Sequence, residues 1–146
     1  MEKFNQKPIH ISEGYVLFNG VRVYDAIKCT ITMTPKTMTS MRLGSVTPDT
    51  RWGNTREYKV EITRRRTTSW TRDMINEYKK TGITPELTIC GVQSDKDSDF
   101  YEKHGDQTVT ALGCVPTGDI KILELDADGE WLDDVMTLNA KDVILT

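Results

Sequence analysis

The sequence predicts a mainly β protein, and three observations support this fold class. The chain contains 20 Thr, 11 Ile and 10 Val, and these β-branched side chains favour extended strands. Several segments alternate apolar and polar residues with the period of a half-buried strand, whereas only residues 70–80 show helical periodicity. The 146 residues are expected to form a single domain, 1–146, because domains usually hold about 100 to 200 residues.

The first predicted element is a β-hairpin over residues 14–24. Its turn is Asn19-Gly20, a pair that readily adopts the positive φ angles of a type I′ turn. A third strand follows over residues 27–34, where apolar and polar residues alternate. The alternation predicts that four of its side chains face the core: Ile27, Cys29, Ile31 and Met33.

Residues 36–56 break this alternation. Gly44, Pro48 and Gly53 interrupt any period, yet the Met, Leu and Trp residues make the segment too apolar for an idle linker. We expect a long β-hairpin or loop with a functional role, because compact domains rarely hold long segments without structure.

A strand over residues 58–65 precedes the predicted helix over residues 70–80. The strand is expected to turn three side chains inward: Tyr58, Val60 and Ile62. The helix follows hydroxyl residues that can cap its first turn, and it ends before Gly82, which can adopt the αL conformation. Its predicted core face carries Trp70, Met74, Ile75 and Tyr78.

Four further strands are predicted after the helix. They cover residues 87–92, 107–115, 119–125 and 136–145. The polar run 94–106 is expected to be a loop, because it lacks any apolar period.

No residue pattern indicates a catalytic site or a cofactor site. His10 and His104 belong to no metal-binding or catalytic array, and the chain has no nucleophile elbow and no phosphate-binding loop. Cys29, Cys90 and Cys114 are odd in number and widely spaced, so we expect buried thiols. The chain is therefore predicted not to be an enzyme.

Two acidic runs, 95–99 and 126–130, resemble the start of a calcium-binding loop. Neither run supplies the later Gly and Glu of an EF-hand loop, and neither lies between two predicted helices. Solvated turns without a metal are therefore favoured. A small β-domain binding module with Asp-rich calcium-binding loops is the alternative function.

Charge is divided unevenly along the chain. Residues 1–80 carry 15 Lys and Arg against 8 Asp and Glu, a net charge of +7, whereas residues 81–146 carry 4 against 14, a net charge of −10. A bipolar surface of this kind can stack on copies of itself, unless folding interleaves the two halves. The basic run 64–66 is expected at a solvated strand end or a subunit contact, because an overall pI of about 5.4 does not favour nucleic-acid binding.

No apolar run is long enough to span a membrane, and the first residues lack the apolar segment of a secretory signal. Synthesis in the cytoplasm and no membrane insertion are therefore expected.

In their order, these elements resemble the tail tube proteins of myophage-like phages, defective prophages and contractile bacteriocins of Gram-positive bacteria. The resemblance covers about residues 12–145 and is carried by the Asn-Gly hairpin and the polar segment after the third strand. It is most specific at residues 73–89, where a helix ending in Tyr-Lys-Lys-Thr-Gly leads into a Pro-led strand. The Asp-rich run 94–99 and the acidic region 125–142 add to it. Met136-Thr137 departs from it, because a Phe-Thr pair often stands there.

The resemblance implies a β-sandwich or half-barrel with one flanking α-helix. It also implies a structural subunit whose copies form hexameric rings that stack into a hollow conduit. The implied partners are other copies of the chain, together with sheath, baseplate and tail terminator proteins, while DNA would pass without specific binding. Such a subunit would be made in the cytoplasm of a bacterial host and assembled in a virion tail or a bacteriocin particle.

Three sets of residues are candidates for the surfaces of such a tube. Apolar and basic side chains suit a contact with the acidic half of a subunit in the next ring, and the candidates are Met38, Met41, Arg42, Leu43, Arg51, Trp52 and Arg56. Uncharged side chains suit a lumen that must not trap phosphate, and the candidates are Thr30, Thr32, Thr34, Thr108 and Thr110. A sheath contact is expected on the outer face of the helix, at Arg72, Asn76, Glu77 and Lys80.

Overall fold

The structure is a computed structural model, and it describes residues 7–9 and 11–146. Its strands are β1 (Gly14–Phe18), β2 (Val21–Val23), β3 (Ala26–Ser40), β4 (Asp49–Arg65), β5 (Leu87–Gln93), β6 (Gln107–Thr117), β7 (Asp133–Ala140) and β8 (Asp142–Leu145). Its helices are α1 (Trp70–Thr81) and α2 (Asp99–His104). The predicted mainly β class is confirmed. Neither helix has the length and apolarity that crossing a bilayer requires, within the described residues.

The strands form one antiparallel sheet in the order β2-β1-β5-β6-β7-β4-β3, with β8 paired to β6 beside this path. β6 joins two halves of the sheet, because it pairs with β5 and β8 along most of its length and with β7 over its last three residues. The two halves enclose one core, as in the expected half-barrel. The core residues are Val16, Phe18, Val60, Ile62, Leu87, Ile89, Ala111, Cys114, Met136 and Leu138.

The chain passes from one half of the sheet to the other at a corner formed by Gly113 and Lys141. Gly113 has φ +62°, and a Cβ atom there would lie 2.8 Å from Cδ of Lys141. The backbone N–H of Lys141 donates to the carbonyl of Leu112 at 2.8 Å. The prediction of a single strand over residues 136–145 is therefore wrong, because this corner divides it into β7 and β8.

The Asn-Gly hairpin is confirmed as β1 and β2. Asn19 has φ 51° and Gly20 has φ 86°, as a type I′ turn requires. The side-chain oxygen of Asn19 accepts the backbone N–H of Thr88 at 2.9 Å. The turn is thus tied to β5 as well as closed by its own backbone.

The predicted alternation in β3 holds only in part. Cys29 and Ile31 pack against the core, but Ile27 and Met33 are exposed, contrary to the prediction. A register shift directly after Ala26 removes Ile27 from the alternation. Met33 lies farther along the strand, beyond the extent of the core.

The predicted helix is confirmed as α1. Gly82 ends it in the αL conformation, with φ 74°, and its N–H donates to the carbonyl of Tyr78 at 2.7 Å. Trp70 and Met74 pack against the core, and the Trp70 ring lies 5.6 Å from that of Phe18. The predicted inward position of Tyr78 is wrong, because only the N-terminal half of α1 reaches the core and Tyr78 is exposed.

The polar run 94–106 is not only a loop, because it contains the second helix, α2. The hydroxyl of Ser98 accepts the backbone N–H of Tyr101 at 3.2 Å and caps the first turn. The local signals were this Ser and Gly105, which ends the helix. The polar composition of the run hid them.

The predicted strand over residues 119–125 is absent, although apolar residues recur there. β6, the strand that it follows, is already paired on both flanks. Instead, the guanidinium of Arg66 donates to the carbonyls of Lys121 and Ile122 at 3.0 and 2.9 Å. A side chain that directly follows β4, far away in sequence, therefore holds this segment as irregular chain.

The core predicts a large loss of stability for Leu138→Ala. Leu138 is fully buried in the core, so its truncation should lower the free energy of unfolding by about 2 to 5 kcal/mol. Urea unfolding followed by circular dichroism measures this loss. The exposed Ile83 provides the control, and Ile83→Ala should change the same quantity by less than about 0.5 kcal/mol. Equal effects of the two substitutions would contradict the described core.

Candidate functional site

Residues 36–56 form a two-stranded arm that projects beyond the sheet. β3 and β4 stay paired as far as Ser40 and Asp49, whereas β7, the other neighbour of β4, pairs only from Tyr58 onward. Each strand of the arm adds about six residues, or roughly 20 Å. Every residue of the arm is exposed except the half-buried Gly53. Because an isolated two-stranded ribbon is only marginally stable, the arm is suited to binding a partner.

A register shift marks the base of the arm. Between the pairs Pro35–Arg56 and Thr37–Trp52, one residue of β3 lies opposite three residues of β4. Gly53 is one of these three, and a Cβ atom there would lie 3.3 Å from a carbonyl oxygen of β3. The hydrogen-bond ladder of the arm is therefore separate from that of the sheet.

The structure brings all seven predicted inter-ring residues together on the arm. They are Met38, Met41, Arg42, Leu43, Arg51, Trp52 and Arg56, and all are exposed. Trp52 is 65% exposed, and Val46, another apolar residue of the segment that is not among the seven, is 95% exposed. A projecting element with this much exposed apolar surface is typical of an interaction site. The role of these residues in ring contacts stays a prediction.

The arm is basic, with four Lys and Arg against one Asp and hence a net charge of +3. Arg42 forms an ion pair with Asp49 across the arm. Nε of Arg56 donates to the hydroxyl of Tyr58 at 2.7 Å. Among the described residues, no carboxylate forms an ion pair with Arg51. The arm thus carries positive charge that its own subunit does not neutralise.

The predicted lumen residues lie on the face of the sheet opposite the core, but in two separate places. Thr30, Thr32 and Thr34 lie on β3, whereas Thr108 and Thr110 lie on β6, and β7 and β4 run between them. Glu57, Lys59 and Glu61 are the register partners of the first set, and Lys59 pairs with Glu61 at 2.8 Å. The charges beside these threonines are therefore mixed in sign.

An ion-pair network that the sequence analysis missed lies at the C-terminal end of β4. Arg64 occupies the next inward position after Ile62 and is only 4% exposed. Its Nη1 donates to Oδ2 of Asp25 at 3.0 Å, and its Nη2 lies 3.7 Å from Oδ2 of Asp134. Arg66 donates to Asp134 through Nε at 3.1 Å and through Nη2 at 2.5 Å. Of the two settings expected for these arginines, a solvated strand end is wrong for Arg64 and Arg66, whereas a subunit contact stays a prediction.

The hydrogen bond to Asp134 raises the pKa of Arg66 above its ordinary value. Arg66 is therefore charged at neutral pH. The signal for this network was present in the sequence, since the alternation that turns Val60 and Ile62 inward also turns Arg64 inward. A buried Arg requires acidic partners, and the sequence did not show which ones.

The segment 119–132 is fixed at both ends by the arginines that follow one another at the end of β4. Arg66 binds the carbonyls of Lys121 and Ile122, and its own N–H donates to the carbonyl of Leu132 at 2.9 Å. The guanidinium of Arg65 lies 5.6 Å from the ring centroid of Trp131. Five acidic residues against one Lys give the segment a net charge of −4. Four of its large apolar side chains are exposed: Ile122, Leu123, Leu125 and Trp131.

The acidic runs form turns in the described part of the chain, where no three potential ligands are grouped to hold a metal ion. Oδ1 of Asp95 accepts the N–H of Asp97 at 3.1 Å, and Oδ1 of Asp126 accepts the N–H of Asp128 at 3.0 Å. Both carboxylates therefore close Asx turns.

Of the two histidines, His10 lies outside the described residues. His104 ends α2, and its ring lies 5.0 Å from that of Phe100. The packing of His104 against an aromatic ring one turn away is structural.

The three cysteines are free thiols. Cys114 is buried as predicted, while Cys29 and Cys90 are half-buried. Burial raises the pKa of Cys29 to about 11, and burial also raises the pKa of Cys114. Cys29 and Cys114 are therefore protonated at neutral pH and are poor nucleophiles.

No protein family model matches the chain, and no curated protein matches its sequence. Solved structures do match its fold. A chain of the sheath–tube complex of an extracellular contractile injection system, PVC, in the extended state has a TM-score of 0.71 and 14% identity, over 95% of this chain and 91% of that chain. A chain in the structure of the tube-terminating cap of the anti-feeding prophage has a TM-score of 0.73 and 14% identity, over 100% of this chain and 95% of that chain. Hcp1 from Flavobacterium johnsoniae has a TM-score of 0.54 and 13% identity, over 91% of this chain and 94% of that chain.

The chain has a tail tube fold. This agrees with the resemblance seen in the sequence and with the expected half-barrel, although two helices stand where one was expected.

The ion-pair network predicts that Asp134→Asn is strongly destabilising. The substitution leaves the buried guanidinium of Arg64 with one partner and removes the charge that Arg66 binds, so the free energy of unfolding should fall by about 3 to 5 kcal/mol. Urea unfolding measures it. The exposed Asp128 provides the matched control, and Asp128→Asn should change the value by less than about 0.5 kcal/mol. A loss at Asp134 no larger than that at Asp128 would rule out the network as a stabilising element.

The raised pKa of Cys29 predicts a pH-dependent contribution to stability. Because folding favours the protonated thiol, the contribution is fully present below about pH 9 and is lost as the pH rises towards 11. The stability of the wild type relative to Cys29→Ala should therefore be constant from pH 7 to about 9 and fall above it. Urea unfolding of both proteins at matched pH measures the difference, in which the titration of other groups cancels. A difference that does not change with pH would contradict the burial of this thiol.

Proposed function

We propose that the chain is the structural subunit of a tail tube in a phage tail or a contractile injection particle. The observation that carries this proposal is the tail tube fold, which matches over 95% to 100% of the chain. The matched chains come from a sheath–tube complex and a tube-terminating cap, which are structural parts of such particles. The chain therefore works by assembly with its own copies, and no enzymatic step is required.

Unpaired strand edges support the closure of copies into a ring. Within the described residues, β2 and β3 are the ends of the sheet order, and β8 pairs on one side only. Free backbone groups on an edge are templates for pairing with another chain, and ring closure satisfies them as it does in a closed barrel. Six copies per ring is the number that the resemblance to tail tube proteins implies.

The arm supports the stacking of rings. It extends roughly 20 Å beyond the sheet, and its apolar side chains have no partner surface in their own subunit. The seven residues predicted for inter-ring contacts lie on it. Burial of Trp52 and of its apolar neighbours against another ring would supply the association energy, since buried aromatic residues dominate such interfaces.

The threonines on β3 and β6 are the proposed lumen surface. They lie opposite the core and present hydroxyl groups without charge, and the charged residues next to Thr30 and Thr32 are of both signs. Such a surface binds phosphate weakly, so DNA can pass without being retained.

The outer face of α1 is the proposed contact with a sheath. Its four predicted residues are exposed: Arg72, Asn76, Glu77 and Lys80. Baseplate and terminator proteins are the other proposed partners, which would bind the two ends of the tube. The subunit would be made in a bacterial cytoplasm and assembled there into the particle.

Removal of the arm tests the proposal. Deleting residues 39–54 leaves a four-residue loop between the paired residues Pro35 and Arg56 and removes most of the apolar arm surface. The wild type should form rings and hollow rods as its concentration rises, visible by negative-stain electron microscopy and by light-scattering mass. The deletion variant should remain a folded monomer or a ring that does not stack, with the circular dichroism spectrum of a β protein. A wild type that is monomeric at every concentration would contradict the proposal.

A further inference from the structure

The arm and the 119–132 segment lie at opposite ends of the same strand. β4 begins at Asp49, within the arm, and ends at Arg65. Arg65 and the following Arg66 are the two residues that fix the 119–132 segment. A strand of 17 residues spans roughly 55 Å. The arm cannot fold back across this distance onto the segment of its own subunit.

The two elements have complementary surfaces. The arm exposes Trp52 and other apolar side chains together with a net charge of +3, and the segment exposes Trp131 and other apolar side chains together with a net charge of −4. Asp128 and Glu130 are exposed and form no ion pair among the described residues, and the same is true of Lys36 and Arg51 on the arm. The arm therefore has cations without acidic partners, and the 119–132 segment has carboxylates without basic partners.

We propose that the 119–132 segment of one subunit is the docking surface for the arm of a second copy of this chain. The proposal rests on the proposed function, and it names the partner of the arm. Apolar side chains around Trp52 and Trp131 pack together, and the two sets of charges pair around them. The chemistry that selects the arm is its positive charge, because an acidic or neutral apolar partner would leave Asp128 and Glu130 unpaired in the contact.

The polarity of this contact makes it repeat. Each subunit presents an arm at one end of β4 and a docking surface at the other, so a bound pair still has one free arm and one free docking surface. A contact between two different surfaces of identical chains propagates unless a rotation closes it. The contact therefore extends along a stack of rings.

Arg66 is the positioning residue of the docking surface. It binds the carbonyls of Lys121 and Ile122, and its bond to Asp134 joins these carbonyls to the start of β7. Without this fixed chain, the exposed apolar side chains would have to be ordered at the moment of binding, at a cost in entropy.

Charge exchange tests the pairing. Asp128→Lys with Glu130→Lys reverses two charges on the docking surface, and Lys36→Glu with Arg51→Glu reverses two charges on the arm. Each double variant should require about a tenfold higher concentration for half-maximal assembly in low salt, measured by light scattering and checked by electron microscopy. The chain that carries all four substitutions should assemble within about threefold of the wild-type concentration, because the pairing is restored with opposite polarity.

Asp97→Lys with Asp106→Lys is the control for the docking-surface variant. It makes the same change in net charge as Asp128→Lys with Glu130→Lys, but at exposed positions outside the segment. It should assemble within about threefold of the wild-type concentration. Circular dichroism establishes that every variant is folded. Wild-type assembly by the Asp128 and Glu130 variant, or failure of the four substitutions to restore assembly, would overturn the docking surface while leaving the tube function in place. A wild type that forms neither rings nor rods would instead overturn the tube function, and the docking proposal with it.

Discussion

The buried guanidinium of Arg64 is the constraint on which the structure around the C-terminal end of β4 depends. A charge in that position is tolerated only when acidic groups surround it, and Asp25 and Asp134 supply them from the turn before β3 and from the start of β7. Asp134 also binds Arg66, which in turn holds the irregular chain at residues 121 and 122. One buried cation thereby determines where four separate parts of the sequence meet. The same fixed geometry presents the 119–132 segment at the end of β4.

The fold also explains how an exposed arm and a well-packed core can share two strands. Along β4, residues such as Ile62 lie between β3 and β7 and face the opposite half of the sheet. On the N-terminal side of Tyr58, β4 pairs with β3 but not with β7, so both faces of the arm meet solvent. No alternation of apolar and polar residues is required there. The sequence of the arm can therefore vary without disturbing the core.

Local signals in the sequence predicted the elements whose geometry is decided locally. Asn19-Gly20 and Gly82 require particular backbone angles, and the alternation through Val60 and Ile62 requires one buried face. Two of the failures involve residues that are far apart in sequence. The break at Lys141 depends on the space left by Gly113, and the loss of a strand at 119–125 depends on Arg66. The seven arm residues were singled out because apolar and basic side chains recur in a segment without strand or helix periodicity, and their role stays a prediction. Residues 119–125 were instead predicted to be a strand, and residues 126–130 a solvated turn.

The register shift at the base of the arm has a mechanical consequence. Because one residue of β3 faces three of β4 there, the hydrogen-bond ladder is interrupted before the arm begins, and Gly53 removes the side chain that would stiffen the junction. Bending of the arm is therefore expected to concentrate at the interruption, away from Val60 and Ile62. In the proposed assembly, subunits joined through such arms would behave as rigid bodies connected by flexible joints. Its flexibility would be set by these few residues, and its resistance to rupture by the cores.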